Sequence, residues 1–148
     1  MNRLSILLVT LLLSASPALA DDYLYLECDT KFSVINKDLR ANQIWREEDV
    51  DIFHSKVDLV NSQILAAKGE PEWKELQIVD GVYVFNEEEL KHGVATSMSL
   101  SLQVDPPRQI TVNVLALDGD YSRTTKMTGM CKEVDASVFE KALKETES

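Results

Sequence analysis

Thr96-Ser97-Met98-Ser99-Leu100-Ser101-Leu102-Gln103-Val104 alternates without interruption. Met98, Leu100, Leu102 and Val104 fall on one face, and Ser97, Ser99, Ser101 and Gln103 on the other. A period of two marks a strand with one face in a core and the other in water. Asp105-Pro106-Pro107 ends it, because proline has no N–H to give to a ladder. Downstream, Gln109 to Leu117 alternates again through Ile110, Val112 and Val114. Asp118-Gly119-Asp120 makes a turn. Tyr121 to Val134 is the last strand, with Met127, Gly129 and Cys131 on one face.

Upstream, the runs Trp73 to Val79 and Val82 to Phe85 flank Asp80-Gly81, a hairpin signal. Asn86 to Gly93 is polar, and its Glu87-Glu88-Glu89 run is expected to be a solvated turn. Near the start, Tyr23 to Cys28 places Leu24, Leu26 and Cys28 on one face. Asp29-Thr30 reads as a turn, Lys31 to Ile35 as a second strand, and Asn36-Lys37-Asp38 as another turn. Residues 39–48 fit either a short helix or an irregular crossing. Asp49 onward is strand-like to about Leu59, followed by a short helical turn or loop to Pro71. A competing helix is drawn by the spacing of Val57, Val60, Ile64 and Ala67, with Gly69 and Pro71 to end it. The tail changes period. Asp135 can cap a helix over 135–146, whose stripe is Val138, Phe139, Ala142 and Leu143.

The sum is a mostly β domain, a small antiparallel barrel of about seven or eight strands with a short C-terminal helix. The cysteines favour a barrel over a two-sheet sandwich. There are two, Cys28 on the first strand and Cys131 on the last, each on its strand's apolar face. A disulfide between them makes those strands neighbours and closes the sheet. In the chain-entropy account, a closed loop of roughly 100 residues contributes about 4–5 kcal/mol.

The compartment follows from the first residues. Met1 to Ala20 has one early charge, Arg3, an apolar run Leu4 to Leu13, and Ala18-Leu19-Ala20. That pattern predicts a secretory signal peptide with cleavage after Ala20. Its apolar run is shorter than the roughly 20 residues a membrane span needs. The mature chain, 21–148, is one domain, periplasmic or secreted, where an isolated cysteine pair forms a disulfide. Removing Arg3 takes the net charge from −10 to −11, since no acid is lost. Such a surface repels nucleic acid and anionic lipid and favours a basic protein as partner. No stable membrane insertion is expected after cleavage.

Catalytic signatures are missing. There is no Gly-x-Ser-x-Gly, no Gly-rich phosphate loop and no Cys-x-x-Cys. His54 shares strand parity with Ile52 and not with Asp49 or Asp51, so no metal site is expected there. His92 precedes Gly93 in a turn and reads as plain surface. Glu87-Glu88-Glu89, Glu47-Glu48-Asp49 and Asp118-Gly119-Asp120 lack the spacing of a calcium loop. The expectation is therefore a non-enzyme with no cofactor and no metal. Trp45 and Trp73 stand outside the strand-core pattern. Each either plugs one end of the barrel or lines a ligand mouth or partner contact.

Leu26-Glu27-Cys28 together with Thr128-Gly129-Met130-Cys131-Lys132 resembles small uncharacterised exported bacterial proteins whose C-terminal strand carries Gly-x-Cys. There the glycine lets backbone approach at the bridge. The layout is also similar to the periplasmic C-type lysozyme inhibitors, which implies an eight-stranded barrel with an acidic inhibitory face. Leu26 stands where that family has tyrosine, and no Ser-Gly pair matches its inhibitory loop. No functional residue is carried over. The expected role is an exported binding or interaction module. Its alternatives are a lipocalin-like carrier of a small apolar ligand and an acidic inhibitor of a basic secreted enzyme such as a lysozyme. A barrel filled by Met98, Leu100 and Leu102 would exclude the carrier.

Overall fold

The computed structural model describes residues 22–148. The expected signal peptide, 1–20, lies outside them. Nine strands follow in order: β1 Tyr23–Asp38, β2 Gln43–Asp58, β3 Gln63–Ala66, β4 Trp73–Glu75, β5 Gln77–Val79, β6 Val82–Lys91, β7 Val94–Gln103, β8 Gln109–Asp118 and β9 Tyr121–Glu133. One helix, α1 Ala136–Glu147, ends the chain. The strands form one antiparallel sheet in the order β4-β3-β2-β1-β9-β8-β7-β6-β5. Every neighbour in that order is also a neighbour in sequence, except β1 and β9. Their pairing turns the meander into an up-and-down barrel, nearly closed. The remaining seam lies between β4 and β5, which only Leu76 separates. Leu76 is buried, and its N–H donates to Ser62 O at 2.7 Å.

The disulfide sits on the closing ladder. Cys28 and Cys131 are register partners on β1 and β9, with Cα atoms 3.9 Å apart. The Cys131 N–H is turned away from β1 and donates to Arg108 O at 2.8 Å. The pair therefore occupies a narrow, non-hydrogen-bonded position of the ladder, where side chains stand closest. Two residues earlier, Gly129 faces Thr30. A Cβ on Gly129 would lie 2.6 Å from Asp29 O and 2.7 Å from Thr30 Cγ2. A bare backbone at that position is what lets β1 and β9 close.

Several local expectations are corrected. Asp29-Thr30 is no turn, because β1 runs unbroken to Asp38. Thr30 points inward, and its hydroxyl donates to Asp51 O at 2.7 Å, so the strand keeps a polar residue at a satisfied position. Residues 39–42 are a turn and 43–48 belong to β2. Residues 41–50 are exposed throughout, which explains why no apolar period marked them. The helix suggested over 57–67 does not form; a turn at 59–62 leads into β3. The run Trp73 to Val79 divides into β4 and β5. Glu87-Glu88-Glu89 lies within β6, whose outer half pairs only with β7 and leaves acids in water. The Asp80-Gly81 hairpin forms with φ values of 51° and 78°, the mirror-image turn that suits strand twist.

The first two hairpin turns share one device. Asp38 Oδ1 accepts from the N–H groups of Arg40 and Ala41, at 2.9 and 3.0 Å. Asp58 Oδ1 accepts from those of Val60 and Asn61, at 3.0 and 2.8 Å. Asn42 and Ser62 then take φ values of 52° and 53° to reverse the chain. Helix α1 is capped by Asp135, which accepts from Ser137 N–H at 2.9 Å. It packs on the outer wall of β1 and β2. Phe139 is fully buried there, 6.0 Å from the Tyr25 ring.

Candidate ligand cavity

Strand parity divides the barrel interior into a packed end and a hollow end. At the packed end Leu24, Leu26 and Cys28 of β1 meet Val57, Leu76, Leu102 and Ile110, all buried. Beyond them the inward side chains stop meeting across the axis. They enclose a cavity of about 440 Å³. Its apolar wall includes Phe32, Val34, Phe53, Phe85, Met98, Leu100, Val112, Val114 and Met127. The volume lies within the roughly 300–1,000 Å³ typical of small-molecule sites. Leu100, itself buried in the core, forms part of the cavity floor; the barrel is filled at Leu102 and hollow at Met98.

Register orders the inward-facing residues of this end into rows. The first row runs Phe85, Leu100, Val112, Met127, Phe32. The second runs Met98, Val114, Thr125, Val34. The third, at the rim, runs Thr96, Ala116, Arg123, Asn36 and ends at Trp45. Along the wall from β7 to β1 polarity therefore rises from the floor outward, while Asp49 and Glu47 on β2 and Glu87 and Glu89 on β6 end the rows. Asn36 is buried and its Oδ1 accepts from Tyr121 Oη–H at 2.6 Å, which leaves its amide NH₂ beside Arg123 as a donor.

The opening lies between β2 and β6. β3 pairs with β2 only over 55–58, and β5 with β6 only over 82–84. Residues 67–72, between β3 and β4, cross this gap as a strap. Ala67 N–H donates to His54 O at 3.0 Å, and Thr146 of α1 donates to Ala67 O at 3.1 Å. Lys68 pairs with Asp51 of β2. Lys74 pairs with Glu72 at 2.9 Å and with Glu87 of β6 at 3.3 Å. The Lys68 ammonium holds the Asp51 carboxyl below its ordinary range. Glu72 first, and Glu87 after it, raise the Lys74 ammonium above its own. Both lysines line the cavity mouth and both are paired. Arg123 also lines it, and among the described residues it has no carboxylate within ion-pair distance.

Trp45 and Trp73 are both partly exposed, and neither lines the cavity. Trp45 sits at the rim on the inward parity, 6.1 Å from the Tyr121 ring. Trp73 shares the outer face with Leu65 and lies 5.9 Å from the Lys56 ammonium. His54 and Glu27 face each other on the outer wall, Nε2 to Oε2 at 3.0 Å, and Lys132 reaches Glu27 Oε1 at 2.7 Å. Lys132 first, then His54, lowers the Glu27 pKa. The strap lysines and Arg123 were not singled out from the sequence. For Arg123 a signal existed: the parity of Met127, Gly129 and Cys131, carried back through Thr125, places Arg123 on the inner face.

No family model, no curated protein and no solved structure matches this chain. Among the described residues no helix is long and apolar enough to cross a membrane.

Proposed function

We propose that this protein binds a small, largely apolar molecule inside the barrel, as a carrier or sensor of that molecule. The observation that supports the reading is the hollow end, a 440 Å³ space walled by phenylalanine, valine, leucine and methionine. An apolar wall gains most from an apolar guest, because each methylene removed from water contributes about 0.8 kcal/mol. At about 30 Å³ for a water-sized group, the space accepts roughly a dozen methylene-sized groups. A tail of roughly ten methylenes then gains about 8 kcal/mol of transfer free energy, against which the cost of immobilising the guest is set. Two methionines in the wall, Met98 and Met127, suit a site that adapts to the shape of its guest.

The reading places the mature protein in the periplasm or outside the cell. The disulfide supports that, since such bonds persist in oxidising compartments. Native mass spectrometry after incubation with dodecanol tests the function. A one-to-one non-covalent adduct is expected, and its absence at hundredfold ligand excess contradicts the proposal.

A further inference from the structure

We infer that the ligand is an amphiphile with an anionic head, and that Arg123 holds that head at the rim while the tail lies along the two apolar rows. This rests on the cavity reading and names its ligand class. Two observations carry it. The first is the change in polarity along the wall from β7 to β1: there the first row is apolar, the second admits Thr125, and the third presents Arg123 and Asn36, while acids enter at the row ends on β2 and β6. A purely apolar guest would leave that polar row without a task.

The second is charge pairing. Lys68 and Lys74 spend their charges on Asp51, Glu72 and Glu87 of the strap and its flanks. Arg123 is the cavity-lining cation left without a carboxylate among the described residues. Its planar fork of donors matches a carboxylate or a phosphate oxygen pair, and the Asn36 amide adds a donor at the same level.

Position sets the charges that the head would also meet. In the strand order β9 lies at the middle, opposite the β4–β5 seam that carries the strap. By the same parity Asp38 and Asp118 face inward on the strands that flank β9, one row beyond Arg123, where Asp38 is held by the Arg40 and Ala41 N–H groups, and further inward acids lie on β2 (Glu47, Asp49, Asp51) and on β6 (Glu87, Glu89). Glu70, the other unpaired charge of the lining, is exposed on the strap across the opening.

Calorimetric titration with laurate, dodecanol and dodecyltrimethylammonium, below their micelle thresholds, separates head from tail. Laurate is expected to bind about tenfold or more tightly than dodecanol, the effect of a charge-assisted hydrogen bond. Arg123→Gln is expected to erase that preference by bringing laurate affinity down to that of dodecanol, and Arg123→Lys to restore part of it. Arg123 is exposed, so neither variant should shift the melting temperature by more than a degree or two. Equal binding of laurate and dodecanol, a preference for the trimethylammonium, or an unchanged preference in Arg123→Gln would overturn the inference and leave the cavity reading standing. Failure of all three to bind would overturn the cavity reading itself.

Discussion

Gly129 shows how one missing atom governs the closure. Its site has ordinary extended backbone, so the demand is for space and not for an unusual dihedral. The atom it would meet first is a backbone carbonyl, which cannot rotate aside as a side-chain end can. Gly129→Ala is therefore expected to lose about 1–3 kcal/mol, the usual scale of overpacking. Urea unfolding would check this, and an unchanged midpoint would mean that β1 and β9 give way easily. A second residue-scale expectation concerns acid. Glu27, Asp51, Asp58 and Asp135 all have lowered pKa values, through Lys132, Lys68, the Asn61 side chain and the Ser137 N–H respectively. A lowered folded pKa gives stability that is present above the unfolded value and lost as pH falls through the folded one. Stability should hold near neutrality and decline below about pH 4.5, the ordinary value for Glu27. Glu27→Gln should flatten that acid limb in a pH series of thermal melts. Lys74 has the opposite sign: its contribution is complete below 10.5 and lost as alkali reaches its raised folded pKa.

At the scale of elements, the β1–β9 ladder and the strap do different work. The disulfide spans 103 residues of sequence and ties the two strands that close the barrel. Cys131→Ser is expected to cost up to about 4–5 kcal/mol and to lower the melting temperature by well over ten degrees for a domain of this size. A shift of a degree or two would show that the ladder closes without its bridge. The strap is tied by exposed ion pairs, each contributing about 0–1 kcal/mol. A Lys68→Gln, Lys74→Gln double variant should therefore melt within a few degrees of the parent. It should release a bound apolar probe several-fold faster in stopped-flow exchange, because the strap crosses the opening between β2 and β6. The elements that were legible in the sequence are those with one face in the core and one in water, β7, β8 and β9 above all. The tip of β2 and the outer half of β6 were hidden for a physical reason. A strand edge without a second partner, exposed on both faces, needs no apolar alternation, and acids such as Glu47 and Glu88 are tolerated there. Asp29-Thr30 misled for the opposite reason: Thr30 is an inward polar residue satisfied by Asp51 O, and a linear pattern cannot show a cross-strand acceptor.

For the whole molecule, parity alone placed both cysteines on the inner face of the first and last strands, and the closed meander follows from that. Parity could not say whether the interior is filled. That depends on how far opposite walls stand apart, and Leu100 and Leu102 read identically in sequence although one lines a cavity and the other packs. The central claim is that the hollow end is a binding site. Fluorescence titration with N-phenyl-1-naphthylamine, which brightens in apolar surroundings, tests it most directly when the parent is compared with Val114→Trp. Val114 lies in the second row, so tryptophan there occupies the cavity from a wall that already faces it. The account predicts saturable one-to-one enhancement at micromolar probe in the parent, and its loss in Val114→Trp at an equal or higher melting temperature. No enhancement in the parent, or equal enhancement in both proteins, would contradict it.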